Sequence, residues 1–179
     1  MTSEQHQQPT PGIPPVGTTA RRSRTVTADD IVRFTEMTGD RNPLHYDEGV
    51  AAASRFGGII VQGGVTSGLL NAIVAEDLPG PGSVFLHVDW SFRAPVRPGD
   101  TITAEVAVIE RRDDKPIGRL RTTITLQDGT VVLDGSVLVY REPLGGDGAQ
   151  PAESAAARRA RGATSPMRWA WRRGFGRVI

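Results

Sequence analysis

The sequence predicts an α+β domain in which a curved antiparallel sheet wraps one long apolar helix. Two observations support this fold class. Helical signals fill the first half of the central region, and its second half alternates apolar and polar residues with the period of two that strands show. The longest helical segment is apolar on most sides, so we expect it to be buried against the face of the sheet that must be covered.

Three helices are predicted from apolar spacing and from capping residues. Thr27 can cap the first helix, with Asp30 in the place of the Glu or Gln of a capping box. Gly39 stands where a helix commonly ends. The predicted helices are residues 28–37, 47–54 and 64–76.

At least four strands are predicted after the helices, joined as an antiparallel meander. Pro98-Gly99-Asp100 is a turn sequence, and Asp128-Gly129 is a strong hairpin signal. The predicted strands are residues 84–92, 101–112, 118–126 and 130–140. In the first strand, one half-buried face is predicted from apolar residues at second or near-second places, namely Val84, Leu86, Val88, Trp90 and Phe92.

The two ends of the chain differ in composition from the middle. Residues 1–20 are rich in Pro, Gln and Thr, which predicts a disordered N-terminal arm. Residues 142–166 are rich in Gly, Ala and Arg, as flexible linkers are. Residues 167–179 form a basic aromatic tail, which could bind an anionic membrane surface, an acidic partner or nucleic acid, or bind nothing. We therefore predict one folded domain over residues 21–141.

Composition narrows the functional classes. The chain has no cysteine, so disulfides, thiolate metal sites and a cysteine nucleophile are excluded. The first residues lack the apolar run of a secretory signal, and no segment approaches the ~18 apolar residues of a membrane helix, so we expect a cytoplasmic protein. The net positive charge lies in residues 142–179, where seven Arg face three acidic residues, and the central region is slightly acidic, so we expect no nucleic-acid partner.

The loop Thr38–Asp47 carries the residues best suited to chemistry. Asp40 follows the glycine that ends the first helix, and His45 comes five residues later. Pro43 stops helix continuation and biases Asn42 toward an extended backbone. A carboxylate and an imidazole are thus held on one stiffened loop, and imidazole exchanges protons readily near neutral pH.

Asp40 and His45 also have simpler interpretations. Asp40 could be a turn residue or a helix-end cap, and His45 could be a partly buried packing residue. A calcium loop does not fit, because His45 occupies the required glycine position and Ala51 the final acidic position. No second histidine lies at zinc spacing, so we expect neither a metal nor a cofactor.

Two longer sequence motifs contain this loop and the predicted turn Pro98-Gly99-Asp100. The first is Phe34-x3-Thr38-Gly39-Asp40-Arg41-Asn42-Pro43-Leu44-His45, and the second is Phe92-Arg93-Ala94-Pro95-Val96-x2-Gly99-Asp100. Together they resemble the signature of the MaoC-like (R)-specific enoyl-CoA hydratases. The resemblance covers about residues 24–141.

The resemblance implies a hot-dog fold, a homodimer, and an acyl substrate carried as a CoA or carrier-protein thioester. It implies that Asp40 and His45 are the acid–base pair that hydrates a trans-2-enoyl thioester or dehydrates the (R)-3-hydroxyacyl thioester. It assigns the backbone N–H of Gly63 to the thioester carbonyl, and a free N–H at a helix start suits a developing negative charge.

Three further residues are candidates near this site. Asn42 is predicted to orient the loop or the water, although it could be a plain pre-proline turn residue. Asn71 is predicted to be buried and to reach Asp40. Gln62 precedes Gly63 where the resembled family commonly has His-Gly, and a glutamine can hydrogen bond but cannot shuttle protons.

Two other functions remain open on the same fold. One is hydrolysis of an acyl thioester, which would leave the Asp–His loop unexplained. The other is a non-catalytic acyl-binding or scaffold subunit that works through the basic tail, which would need neither Asp40 nor His45.

Overall fold

The structure, a computed structural model, describes residues 12–144. Each predicted helix and strand is present, with bounds within one residue of the prediction, and one unpredicted strand precedes them. No helix in these residues is long and apolar enough to span a membrane. The elements are β1 (Thr19–Thr25), α1 (Ala28–Thr38), a 3₁₀ turn (Pro43–His45), α2 (Glu48–Ala53), α3 (Gly63–Glu76), β2 (Ser83–Phe92), β3 (Thr101–Arg111), β4 (Ile117–Leu126) and β5 (Val131–Arg141).

The five strands of the described residues form one antiparallel sheet in the order β1-β3-β4-β5-β2. Only β3, β4 and β5 follow one another as a meander. The prediction that β2 precedes β3 in that meander is therefore wrong, because β2 pairs with β5 at the far edge. The segment 93–100 carries the chain from one side of the sheet toward the other.

Helix α3 packs its apolar face on the sheet and supplies the centre of the core. Leu70 and Ile73 are fully buried, and they share one cluster with apolar residues of β3, β4 and β5. The expectation that α3 is buried on most sides is wrong for the single chain, because Gly64 and Asn71 are exposed on its other side. The sheet covers only one face of the helix.

Strand β2 presents its apolar residues differently from the prediction. A register shift between Phe85 and His87 reverses the alternation, so that Phe85 and Trp90 pack against the core. The ring of Trp90 meets that of Phe85 edge to face, with centroids 6.1 Å apart. Four other large apolar residues of β2 are exposed: Val84, Leu86, Val88 and Phe92.

The folded domain begins earlier than residue 21. Ile13 is buried, and its side chain lies over Gly118 of β4, where a Cβ would come within 2.7 Å of it. Strand β1 then starts at Thr19 and pairs with β3. The prediction of a disordered arm is therefore wrong for residues 12–20, because one buried isoleucine and a strand attach them to the sheet. Residues 1–11 of that arm, most of the predicted linker and the whole predicted tail lie outside the described residues.

Helix α1 begins and ends as predicted. The Asp30 carboxylate accepts a hydrogen bond from the Thr27 backbone N–H at 2.8 Å. Burial acts to raise the pKa of Asp30, but the bonds from Thr27 and Arg24 outweigh it and lower that pKa. Gly39 closes the helix in the left-handed region, with φ 80°, where glycine is favoured. The helix therefore delivers the following loop from a fixed point.

Candidate active site

The loop after α1 holds its own backbone through short side chains. Asn42, extended before Pro43 as predicted, caps the 3₁₀ turn by accepting the Leu44 N–H with Oδ1 at 3.1 Å. The Asn42 N–H in turn donates to Asp40 Oδ1 at 3.1 Å. Asn42 therefore orients this loop, and the second carboxylate oxygen of Asp40 is left for other partners.

Asp40 and His45 point toward each other. The distance between Asp40 Oδ2 and His45 Nε2 is 3.7 Å, and the exposed fractions of the two side chains are 39% and 9%. That distance is too long for a direct hydrogen bond, but it lets one water lie about 2.8 Å from each atom. The pair is thus arranged to bind a single water from two sides.

The hydrogen bond of His45 Nδ1 determines whether Nε2, the ring nitrogen that faces Asp40, carries a proton. Nδ1 lies 2.8 Å from the main-chain oxygen of Ile60. Because a carbonyl oxygen only accepts, Nδ1 must carry the proton when the imidazole is neutral. The lone pair is then on Nε2, which faces Asp40. His45 is therefore set to remove a proton from a molecule placed between the two side chains.

A cleft of about 520 Å³ opens beside His45. It runs past the start of α3 and along the segment that follows β2, and most of its wall is apolar. Two arginines, Arg55 and Arg93, also line it, whereas Asp40 and Gln62 are not among its lining residues. The full set is His45, Arg55, Phe56, Ile60, Val61, Gly63, Thr66, Phe92, Arg93, Ala94, Pro95 and Val96.

Sequence reasoning missed Arg97, which supports the cleft from behind. Its guanidinium donates to the main-chain oxygens of Phe56 and Ile59, the latter at 3.2 Å. Its own N–H donates to Asp100 Oδ2 at 2.8 Å. Arg97 therefore fixes the segment whose Ile60 oxygen orients His45. It is the first variable position of the Pro-Val-x2-Gly-Asp turn, so the motif marked its place but not its role.

Gly63 is the first residue of α3 and lines the cleft. Its N–H has no main-chain acceptor among residues 12–144, as expected for the first turn of a helix. A Cβ at this position would lie 3.1 Å from the ring of Phe92. Glycine thus keeps the space in front of the helix start open, and the free N–H and the helix dipole there favour a negative charge.

The structure places Gln62 and Asn71 away from the cleft. Gln62 is 2% exposed, and its Nε2 donates to Thr35 Oγ1 at 3.1 Å and to the Ile31 oxygen at 3.3 Å. This position does not support contact between Gln62 and a substrate. Asn71 is exposed on the outer face of α3 and makes no hydrogen bond to Asp40 in the described part of the chain, so its predicted burial is wrong.

A model of the MaoC-like domain family matches residues 12–129 of this chain. The chain is 43% identical over 124 residues to a 3-hydroxybutyryl-CoA dehydratase of Methylorubrum extorquens, covering 69% of this chain and 78% of that protein. It is 40% identical over 124 residues to an (R)-specific enoyl-CoA hydratase of Aeromonas caviae, covering 69% of this chain and 92% of the other.

The fold also matches a solved structure. The (R)-hydratase from A. caviae involved in PHA biosynthesis aligns with a TM-score of 0.68 and 38% identity, covering 72% of this chain and 97% of that one. Both share a helix and an antiparallel sheet in the hot-dog arrangement, so the predicted fold class is confirmed.

Proposed function

This chain belongs to the MaoC-like domain family, and we propose that it is a hydro-lyase acting on acyl thioesters. It adds water to a trans-2-enoyl thioester or, in reverse, removes water from the (R)-3-hydroxyacyl thioester. The single observation that carries the proposal is the convergence of Asp40 and His45, 3.7 Å apart, at a cleft that also contains the helix start at Gly63.

Water addition begins at the acid–base pair. In the proposed reaction, one water is held by Asp40 Oδ2 and His45 Nε2, and Nε2 takes its proton while the water oxygen bonds to C3. The imidazolium that forms faces the carboxylate of Asp40, which stabilises it. Nδ1 keeps its proton throughout and donates it in a hydrogen bond to the Ile60 oxygen, so the ring keeps its orientation.

The electron pair displaced from the double bond moves to the thioester oxygen. The Gly63 N–H at the start of α3 suits that oxygen, because a free amide and the positive end of the helix dipole both favour negative charge. The intermediate collapses when C2 takes a proton from the Asp40/His45 pair. One water has then been added, and both groups have returned to their starting state.

The cleft also suits the two parts of such a substrate. Its apolar wall, including Phe56, Ile60 and Phe92, favours an acyl chain. Arg55 and Arg93 suit the phosphate groups that CoA and the prosthetic arm of a carrier protein share. Arg93 is also paired with Asp134 at 2.8 Å, so its guanidinium is held in place beside the cleft.

A homodimer is the second part of the proposal. The outer edge of β2 has no strand partner among residues 12–144, and it carries apolar side chains that one chain leaves exposed, among them Leu86 and Val88. An open strand edge with several exposed apolar side chains is rarely left uncovered. We expect two copies to pair there about a two-fold axis.

The basic aromatic tail is the third part. The matched family region ends at residue 129, so residues 167–179 lie outside it. Trp169 and Trp171 alternate with arginines, a composition that favours an anionic membrane surface. We propose that the tail docks the enzyme on such a surface, with an acidic protein partner as the alternative.

Replacing either member of the pair should abolish most of the hydration. Asp40→Asn and His45→Gln are each expected to lower kcat by about 10²–10⁴-fold, because each removes a proton-transfer group while keeping side-chain size. The measurement is the loss of enoyl absorbance with crotonyl-CoA and a panel of longer and branched enoyl-CoA thioesters, with thiol release recorded in parallel. Asp113→Asn is the control, since the Asp113 side chain is 90% exposed and lies in the turn after β3. Unchanged turnover in both variants would refute the pair, and thiol release by the wild type would indicate a thioesterase.

The role of the Gly63 amide can be separated from the space that glycine leaves. Gly63→Ala and Gly63→Pro both place a Cβ near Phe92, but only proline removes the N–H. Proline is tolerated at the first position of a helix, and Gln62 before it is already extended, with φ −59° and ψ 140°. We expect kcat of the proline variant to fall about 10²–10³-fold below that of the alanine variant. Equal rates would remove this amide from the mechanism.

The β2 interface can be tested by the mass of the protein in solution. Light scattering after gel filtration should give the wild type twice the 19.2 kDa of one chain. Leu86→Glu combined with Val88→Glu should shift it toward a single chain, because four carboxylates would meet across the two-fold axis. Val16→Glu is the matched control, because Val16 is also exposed but lies before β1. A monomeric wild type, or a double variant that stays dimeric, contradicts the proposed edge.

Tail docking can be measured by sedimentation with lipid vesicles. The full chain should sediment with vesicles containing phosphatidylserine and stay in solution with phosphatidylcholine alone, and added salt should weaken the binding. A chain ending at residue 166 should lose this binding and keep its hydration rate. Equal sedimentation of both chains would contradict membrane docking. Binding to a soluble acidic polypeptide without vesicle binding would assign the tail to the alternative.

A further inference from the structure

The buried hydroxyl of Thr35 lies behind the proposed site, and all of its hydrogen-bonding positions are occupied. The Oγ1 of Thr35 on α1 donates to the main-chain oxygen of Asp40 at 2.6 Å. It accepts from the hydroxyl of Tyr46 and from Gln62 Nε2, the latter at 3.1 Å. A threonine hydroxyl has one donor and two acceptor positions, and all three are occupied here. Thr35 and Gln62 are both buried.

The partners of Thr35 are each next to, or part of, the proposed machinery. Asp40 is bound through its own backbone, Tyr46 directly follows His45, and Gln62 directly precedes Gly63. One hydroxyl on α1 therefore connects the loop that carries the acid and the base with the start of α3. None of the three hydrogen bonds reaches the cleft.

We propose that Thr35, Tyr46 and Gln62 form a positioning cluster that fixes Asp40 relative to His45 and Gly63. The inference rests on the proposed hydration activity. The 3.7 Å separation of Asp40 and His45 leaves little tolerance, because the shared water must reach both atoms at hydrogen-bond distance. The cluster sets that separation from outside the cleft, without touching substrate.

The cluster also gives a role to Gln62, at a position where the resembled family commonly has histidine. The amide of Gln62 has two N–H donors, and they bind Thr35 Oγ1 and the Ile31 oxygen. An amide does not ionise in the neutral pH range, so the two hydrogen bonds of Gln62 do not depend on a titrating group. In this chain the position serves geometry, and proton exchange is left to Asp40 and His45.

Thr35→Val separates this role from simple stability. Valine matches threonine in shape and in helix propensity, so α1 should persist. Tyr46 and Gln62 keep the Ile31 oxygen as an acceptor, at 3.2 and 3.3 Å, whereas the Asp40 oxygen loses its donor. We expect kcat for enoyl-CoA hydration to fall about 10–100-fold with a much smaller change in KM. Thr35→Ser, which restores the hydroxyl, should recover most of the rate.

The matched control is Thr122→Val. Thr122 is equally buried, and its hydroxyl accepts from Trp90 Nε1 at 3.0 Å, far from the site in the sheet. Urea unfolding should show comparable destabilisation of both valine variants, but only Thr35→Val should lose turnover. In an Asp40→Asn background, Thr35→Val should change kcat by less than about 2-fold, because the group it positions is already gone.

The outcomes distinguish this inference from the activity it rests on. A wild type without activity on any thioester of the panel refutes the proposed function. An active wild type whose Thr35→Val variant folds and turns over at the wild-type rate refutes only the cluster, and so does a loss of rate that is fully additive with Asp40→Asn. If Thr35→Val does not fold, Tyr46→Phe decides: a kcat loss of about 2–10-fold supports the cluster, and an unchanged kcat overturns it.

Discussion

The burial of one face of α3 on the sheet is the constraint on which the rest of the structure depends. Leu70 and Ile73 are fully enclosed by residues of the central strands, so the helix can neither rotate nor slide without exposing them. The first residue of α3, Gly63, is thereby fixed at the cleft. The face of α3 that points away from the sheet stays in solvent. The burial of Leu70 and Ile73 thus determines where the free N–H of Gly63 lies at the start of the helix.

The site combines this long-range constraint with a loop whose shape is largely local. Gly39, Asn42 and Pro43 bend the backbone through contacts within a few residues, which is why the sequence could place Asp40 and His45 on one loop, whereas their roles as acid and base came from the family resemblance. The orientation of His45 is not local. It depends on the Ile60 oxygen, and the Arg97 guanidinium holds the segment around Ile60 by donating to the neighbouring Ile59 oxygen. Spacing could propose the pair, but only the fold decides which ring nitrogen is free.

The same distinction explains which predictions failed. Helix and strand bounds follow from capping, turn residues and periodicity, which the sequence shows directly. Strand β1 was missed because its residues, TARRSRT, have almost no apolar alternation and owe their conformation to pairing with β3. In β2 the alternation of apolar residues was visible in the sequence, but the pairing with β5 was not. The bulge in that pairing reverses the buried face along the strand. Asn71 was assigned to the interior because an apolar helix gives no sign of which side the sheet will cover.

Gln62 shows how the chemistry is divided in this chain. It is buried between α1 and α3, and both of its N–H groups are bound, so it can neither gain nor release a proton during turnover. In the proposed reaction, Asp40 and His45 are then the two groups next to the cleft that exchange protons with the substrate. The hydrated product keeps one proton on C2 and one on oxygen, both derived from a single water. A pair 3.7 Å apart can take the first proton and return it to C2 without a third group, provided that their separation is held constant. Because the distance between Asp40 and His45 is held constant, the proposed reaction needs no further acid or base.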